Sequence, residues 1–320
     1  MNNATQLEQT LSEQMGKVLF GMDDILHGLS IAIIAQGHVL LEGAPGLGKT
    51  LLSKSLAQLL GGEFGRIQGT ADLMPSDMTG IHVYDSDKKQ FQLLPGPLFN
   101  KVVLMDEINR TGPKTQSAIL QAMEENKITL DRKTYPLPEG FFIIASQNPL
   151  DFEGVYPLLE SQLDRFLMRL DMNYPDLETE IAVLQRYDHP GGGHTKALDG
   201  LQSLTEGLIK AAQQEAEKVH VADSVYHYVA TLAQTSRENS RLALGLSPRG
   251  ALAMMRCARV EAAIQGRKYV TPDDIKQIAP MVVCHRLLPT SEAILEGINA
   301  LRIYQEIESQ VAVPRDLEVA

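Results

Sequence analysis

Eight residues, Gly43 to Thr50, read GAPGLGKT and fit the pattern Gly-x-x-x-x-Gly-Lys-Ser/Thr without a gap. Such a loop works only at a strand-to-helix turn, where backbone N–H groups converge on phosphate oxygens. The flanks supply that turn: His38 to Leu41 is a short apolar strand candidate, and Leu51 to Leu60 has helical spacing. Gly43, Gly46 and Gly48 permit the backbone angles and the close approach, with Ala44, Pro45 and Leu47 between them. Lys49 then reaches the β and γ phosphates, and the Thr50 hydroxyl coordinates Mg²⁺. Leu51 completes the set of residues expected around ATP. The alternative is a glycine-rich turn with no ligand.

A second segment extends the reading from binding to hydrolysis. Val102 to Met105 is a continuous apolar run, typical of a strand buried on both faces, and Asp106-Glu107 follows at its carboxyl end. Paired carboxylates there need a cation, which a Mg²⁺-nucleotide supplies. Asp106 would hold the metal and Glu107 would deprotonate the attacking water. This strand and the one before the glycine loop are expected side by side. A helix N-cap at Asp106 is the competing explanation.

Composition fits an ordinary globular protein large enough for two domains: 320 residues, 44% hydrophobic. No segment approaches the apolar length of a membrane span, and the polar start of the chain argues against export and for a cytoplasmic location. Cys257 and Cys284 lack metal-ligand spacing and read as reduced packing residues, and the eight histidines form no ligand cluster. Lys plus Arg 29 against Asp plus Glu 40 gives a net charge of −11, which disfavours nucleic acid as a partner.

The first half alternates strand and helix signals, with strands expected at Val39–Glu42, Phe64–Gln68, Lys101–Met105, Phe141–Ala145 and Phe166–Leu170. Two hairpins interrupt the rhythm, Ile81–Tyr84 with Gln90–Leu94 and Ile128–Leu130 with Thr134–Leu137. After Pro175 strand signals end and the pattern is helical, broken by the loop Gly191-Gly192-Gly193. Ser247-Pro248 and Thr271-Pro272-Asp273-Asp274 are helix starts. The fold class expected is α/β: a parallel sheet flanked by helices over 1–175, followed by an all-α lid over 176–320.

GAPGLGKT, LMDEINRTGPKTQSAILQAMEE, FFIIASQNP, YPLLESQLDRF and LSPRGALAMMRCARV, in this order, resemble the MoxR family of AAA+ ATPases, in the clade with a helix-two insert that includes magnesium chelatase subunits. The likeness runs from about Gly16 to Leu288, with one departure, GTADLMPSD at Gly69 to Asp77. It implies a P-loop ATPase core with a C-terminal lid, assembled as a homo-oligomeric ring, usually a hexamer, with ATP and Mg²⁺ between neighbours. The first hairpin would be the helix-two insert, and the second the hairpin before the sensor strand.

The resemblance also assigns residues. Asn148 would be the sensor holding the lytic water and the γ phosphate, with a plain turn at Asn148-Pro149 as the alternative. Arg165 resembles the finger that enters the adjacent subunit's site; a local pair with Asp164 is the alternative, and Arg110 and Arg169 are competing candidates. Arg249 resembles the second sensor, a lid cation touching the γ phosphate, with an exposed helix arginine as the alternative. The segment Leu19-Phe20-Gly21 would lie against adenine, with plain core packing as the alternative. The implied role is chaperone-like remodelling or maturation of protein clients, with a partner carrying a von Willebrand factor A domain. A nucleic-acid translocase, and a nucleotide-gated scaffold with little turnover, are the rival functions.

Overall fold

A computed structural model describes residues 2–149, 154–188, 198 and 200–314. Helices α1 (Asn3–Met15) and α2 (Asp23–Ile34) precede strand β1 (Val39–Gly43) and α3 (Lys49–Leu59). Strand β2 (Phe64–Gln68) and α4 (Pro75–Thr79) lead into the hairpin β3 (Gly80–Asp85) and β4 (Gln90–Pro95). Then come β5 (Val102–Asp106), α5 (Pro113–Glu125), the hairpin β6 (Lys127–Leu130) and β7 (Lys133–Pro136), β8 (Phe142–Gln147), α6 (Glu160–Leu163) and β9 (Met168–Met172). The rest comprises α7 (Leu177–Tyr187), α8 (Glu206–Glu217), α9 (Asp223–Glu238), β10 (Leu242–Leu244), α10 (Pro248–Ile264), α11 (Pro272–Val283), β11 (Leu288–Pro289), α12 (Ser291–Leu295) and α13 (Ala300–Gln310).

Five parallel strands form the central sheet in the order β2-β5-β8-β1-β9. Their side chains alternate between two cores, as a period of two requires. Val39, Leu41, Val102, Leu104, Phe142 and Ile144 join the core shared with α1, α2, α3 and the C-terminal helices. Leu40, Val103, Met105, Ile143 and Ala145 face the opposite core, with Ile119 and Met123 of α5. The inner strands β1, β5 and β8 are therefore apolar over most of their length, whereas the edge strands β2 and β9 alternate buried and more exposed residues.

Two expectations change. Strands β1 and β5 are not side by side, because β8 inserts between them. At the spacing of strands in a sheet the two tips stand about 10 Å apart. The second half also contains sheet: β10 pairs antiparallel with β11, and His220 bridges Tyr269. These segments are too short for alternation to register. The Gly191–Gly193 loop lies outside the described residues.

The α/β and helical parts are closely joined. α1 packs on α8 and α10 as well as on α2. Between them His27 lies 2.8 Å from Glu261, whose side chain is fully buried, and 3.5 Å from Glu8. Hydrogen bonds to these two carboxylates push the His27 pKa up to about 9. Cys257 and Cys284 are buried free thiols, which burial pushes up to about 12 and about 11. Among the described residues no helix is long and apolar enough to cross a membrane.

Candidate nucleotide site

The glycine loop joins β1 directly to α3. Gly46 and Gly48 both have φ +87°, a region that L side chains rarely adopt. A Cβ on Gly46 would meet nothing within 4 Å, so conformation rather than crowding selects glycine there. At Gly43 the reason is crowding: a Cβ would come within 2.6 Å of the Met172 carbonyl on β9. The first turn of α3 has neither a side-chain cap nor an acidic residue, so its N–H groups and positive end suit an anion. Lys49 folds over the loop and donates to the Gly43 carbonyl at 2.5 Å. Leu47 and Leu51 anchor the loop by packing on the core, while Thr50 is half-buried in the first turn.

Asp106 ends β5, on the same carboxyl edge of the sheet. Its Oδ1 accepts from the Ser146 hydroxyl at 2.6 Å, and its Oδ2 from the Arg66 guanidinium at 2.9 Å. The N-cap explanation fails: the residue before the 3₁₀ turn Ile108–Arg110 is Glu107, and no side chain caps that turn. Glu107 has φ 57° and ψ 52°, a left-handed backbone uncommon for a residue with a side chain. Its amide donates to Ser146 Oγ at 3.0 Å, and its carboxylate accepts from Gln68 at 3.2 Å and pairs with Arg110 at 3.3 Å. Gly69 makes this geometry possible, since a Cβ there would lie 2.1 Å from the Glu107 carbonyl.

Asn148 follows β8, the strand that separates the loop from the acidic pair, and so emerges between them. Leu19 is buried and Phe20 half-buried; Gly21 (φ +65°) meets Thr179 of α7, and Met22 reaches the neighbourhood of Gly48. The residues present fit a Mg²⁺-nucleotide: a glycine cradle, an uncapped helix start, and a carboxylate and hydroxyl on one edge. Sequence reading missed Arg66, Gln68 and Ser146. Ser146 lies two positions before Asn148 near the carboxyl end of β8, which was an available signal; Arg66 and Gln68 lie on β2, far in sequence from both motifs, and only strand pairing brings them to the acidic pair.

Arg165 and Arg249 stand elsewhere. Leu167 donates to the His38 carbonyl, at the amino end of β1, so Arg165 lies at the edge of the sheet opposite to the loop. Five-residue strands separate the two edges by about 15 Å. Arg165 and Arg249 both donate to one carboxylate, that of Glu124 at the end of α5. Nor does Arg165 pair with Asp164, which instead accepts from Arg286 at 2.7 Å and Ser247 at 2.9 Å. Arg110 and Arg169 are engaged on the loop side, with Glu107 and with Glu42 and Asp171.

This sheet order, with a phosphate loop after β1 and an acidic pair after β5, defines a P-loop NTPase with a helical lid. Residues 38–168 match the ATPase family associated with various cellular activities, and residues 234–307 match the AAA lid domain. Chaperone MoxR1 of Mycobacterium tuberculosis is 35% identical over 97% of this chain and 82% of its own length. An uncharacterized Bacillus subtilis protein, YeaC, is 43% identical over 94% and 93% of the two chains. A crystal structure of a Cytophaga hutchinsonii protein provisionally designated an ATPase superposes with a TM-score of 0.88 at 35% identity, covering 98% of this chain and 97% of the other. The magnesium-chelatase 38 kDa subunit of Acidiphilium rubrum is 26% identical over 80% and 71%. The chain belongs to the MoxR family of AAA+ ATPases.

Proposed function

We propose that this protein is a Mg²⁺-dependent ATPase whose active site is completed between neighbouring subunits of a ring, usually a hexamer, and whose turnover remodels protein clients. The observation that carries the reading is the separation of Lys49 and Asp106 from Arg165 and Arg249 by the length of the sheet. A protomer's arginines cannot serve its own triphosphate, but a neighbour's can.

In this reading Lys49 and the backbone N–H groups of residues 43–51, Pro45 excepted, orient the β and γ phosphates, while Phe20 and Gly21 lie against the base. Thr50 and Asp106 hold Mg²⁺, which neutralises charge on the phosphate oxygens when bound. Glu107 accepts a proton from a water oriented by Asn148; the water oxygen bonds to the γ phosphorus and the bond to the β-phosphate oxygen breaks, releasing ADP and phosphate. Arg165 and Arg249 of the adjacent subunit stabilise the developing charge. Relatives named MoxR, one of them as a chaperone, support a remodelling role, and we extend it to a cytoplasmic protein working with a von Willebrand factor A domain partner.

The test is complementation. Arg165→Ala subunits bind ATP and turn over poorly; Lys49→Ala subunits bind none but carry intact arginines. A mixture exceeding the sum of its parts supports the shared site, and a mixture equal to that sum rejects it.

A further inference from the structure

Three elements distant in sequence meet at Glu124. The last turn of α5 supplies its carboxylate, with Oε2 facing Arg165 and Oε1 facing Arg249, one oxygen for each guanidinium. Each contact has independent support. The His38 ring, kept neutral by burial, accepts from the Ile143 amide through Nδ1 and so donates through Nε2 to the Met123 carbonyl, fixing the backbone next to Glu124. Asp164, adjacent to Arg165, accepts from Ser247, and Ser247 caps α10 by accepting from the Gly250 amide. That cap sets the first turn of α10, where Arg249 lies. Arg286, almost wholly buried, binds the other oxygen of Asp164 and the Leu167 carbonyl.

Two guanidinium groups this close repel one another, and long side chains on different elements have many alternative rotamers. A single carboxylate between them removes the repulsion and selects one rotamer of each. The three groups together keep a net charge of +1, so the edge remains attractive to an anion.

We infer that Glu124 is a positioning residue that holds Arg165 and Arg249 as one paired cation, presented by each subunit to its neighbour's triphosphate. This deepens the shared-site reading and rests on it. Glu124 acts through the two arginines, and it ties together the two parts of the chain, since Arg249 belongs to the helical part and Arg165 precedes the last strand of the sheet.

The test uses the full-length assembled protein and steady-state phosphate release. Glu124→Ala is expected to lose about tenfold or more in kcat, the cost of misplacing a catalytic group by an ångström or so. KM for ATP and the nucleotide affinity of the protomer should stay within about twofold, because the residue lies off its own loop. Mixing with Lys49→Ala subunits should raise turnover above the sum of the parts. In an Arg165→Ala, Arg249→Ala background the same substitution should cost nothing more. Wild-type kcat, or a loss of the same size in the double-arginine background, overturns the inference. Glu124→Gln keeps the volume and one acceptor and should fall between Glu124→Ala and wild type. If Glu124→Ala does not fold, Glu124→Gln is judged by the same outcomes. Mixtures of Arg165→Ala with Lys49→Ala separate the two levels: failure there removes the shared site, whereas success there beside a fully active Glu124→Ala removes only the role of Glu124.

Discussion

The guanidinium of Arg66 lies 2.9 Å from Oδ2 of Asp106, on the carboxylate proposed to hold Mg²⁺. Arg66 also donates to Gln68, which donates to Glu107, so one chain of contacts runs from the metal carboxylate to the proposed base. The Arg66 side chain is about half exposed, 47%, so the pair is worth little and a divalent ion can displace it. Arg66→Ala should lower the Mg²⁺ concentration for half-maximal ATPase by about two- to fivefold, the equivalent of an exposed ion pair. A magnesium titration of phosphate release checks this, and an unchanged midpoint would show that Arg66 does not compete.

Lys49 and Glu107 act on different partners, and their substitutions should separate accordingly. Lys49→Ala removes the ammonium over the loop and should abolish nucleotide binding. Glu107→Gln retains shape and hydrogen bonding but cannot take a proton, so binding should persist while turnover falls by about 10² to 10⁴. Equilibrium binding of a fluorescent nucleotide, run beside phosphate release, distinguishes the two. Normal turnover in Glu107→Gln would remove the residue from the chemistry.

Arg286 is 6% exposed and its guanidinium satisfies Asp164 and the backbone carbonyls of Phe166 and Leu167 together. Arg286→Met should destabilise the protein by about 3–5 kcal/mol, because Asp164 and the carbonyls lose their donor. Urea unfolding measures the change. A loss below about 1 kcal/mol would mean that water replaces the guanidinium at little cost.

The histidine between Glu8 and Glu261 links stability to pH. Its folded pKa, about 9, lies above the ordinary 6.5, so its contribution is fully present below pH 6.5 and is lost as pH rises through 9. The loss across that window should be on the order of 2–3 kcal/mol. His27→Gln should flatten the dependence between pH 6.5 and 9.5. Unfolding free energies at those two pH values, compared between variant and wild type, provide the measurement.

Local patterns made much of this protein legible in one dimension. The loop Gly43–Thr50 needs residue types at fixed spacing, the inner strands run apolar because both faces are covered, and α10 begins at a serine cap followed by proline. Each is dictated by neighbours within a few positions, so the sequence records it directly. Tertiary structure alone decided the rest. It inserted β8 between β1 and β5, placed Ser146 under Asp106 across 40 positions, and gathered Arg165 and Arg249 onto Glu124 across 41 and 125. A charge brought to its partner by the folding of distant elements imposes no periodicity or spacing on the chain, and the pairing of those three residues exists only in the folded molecule.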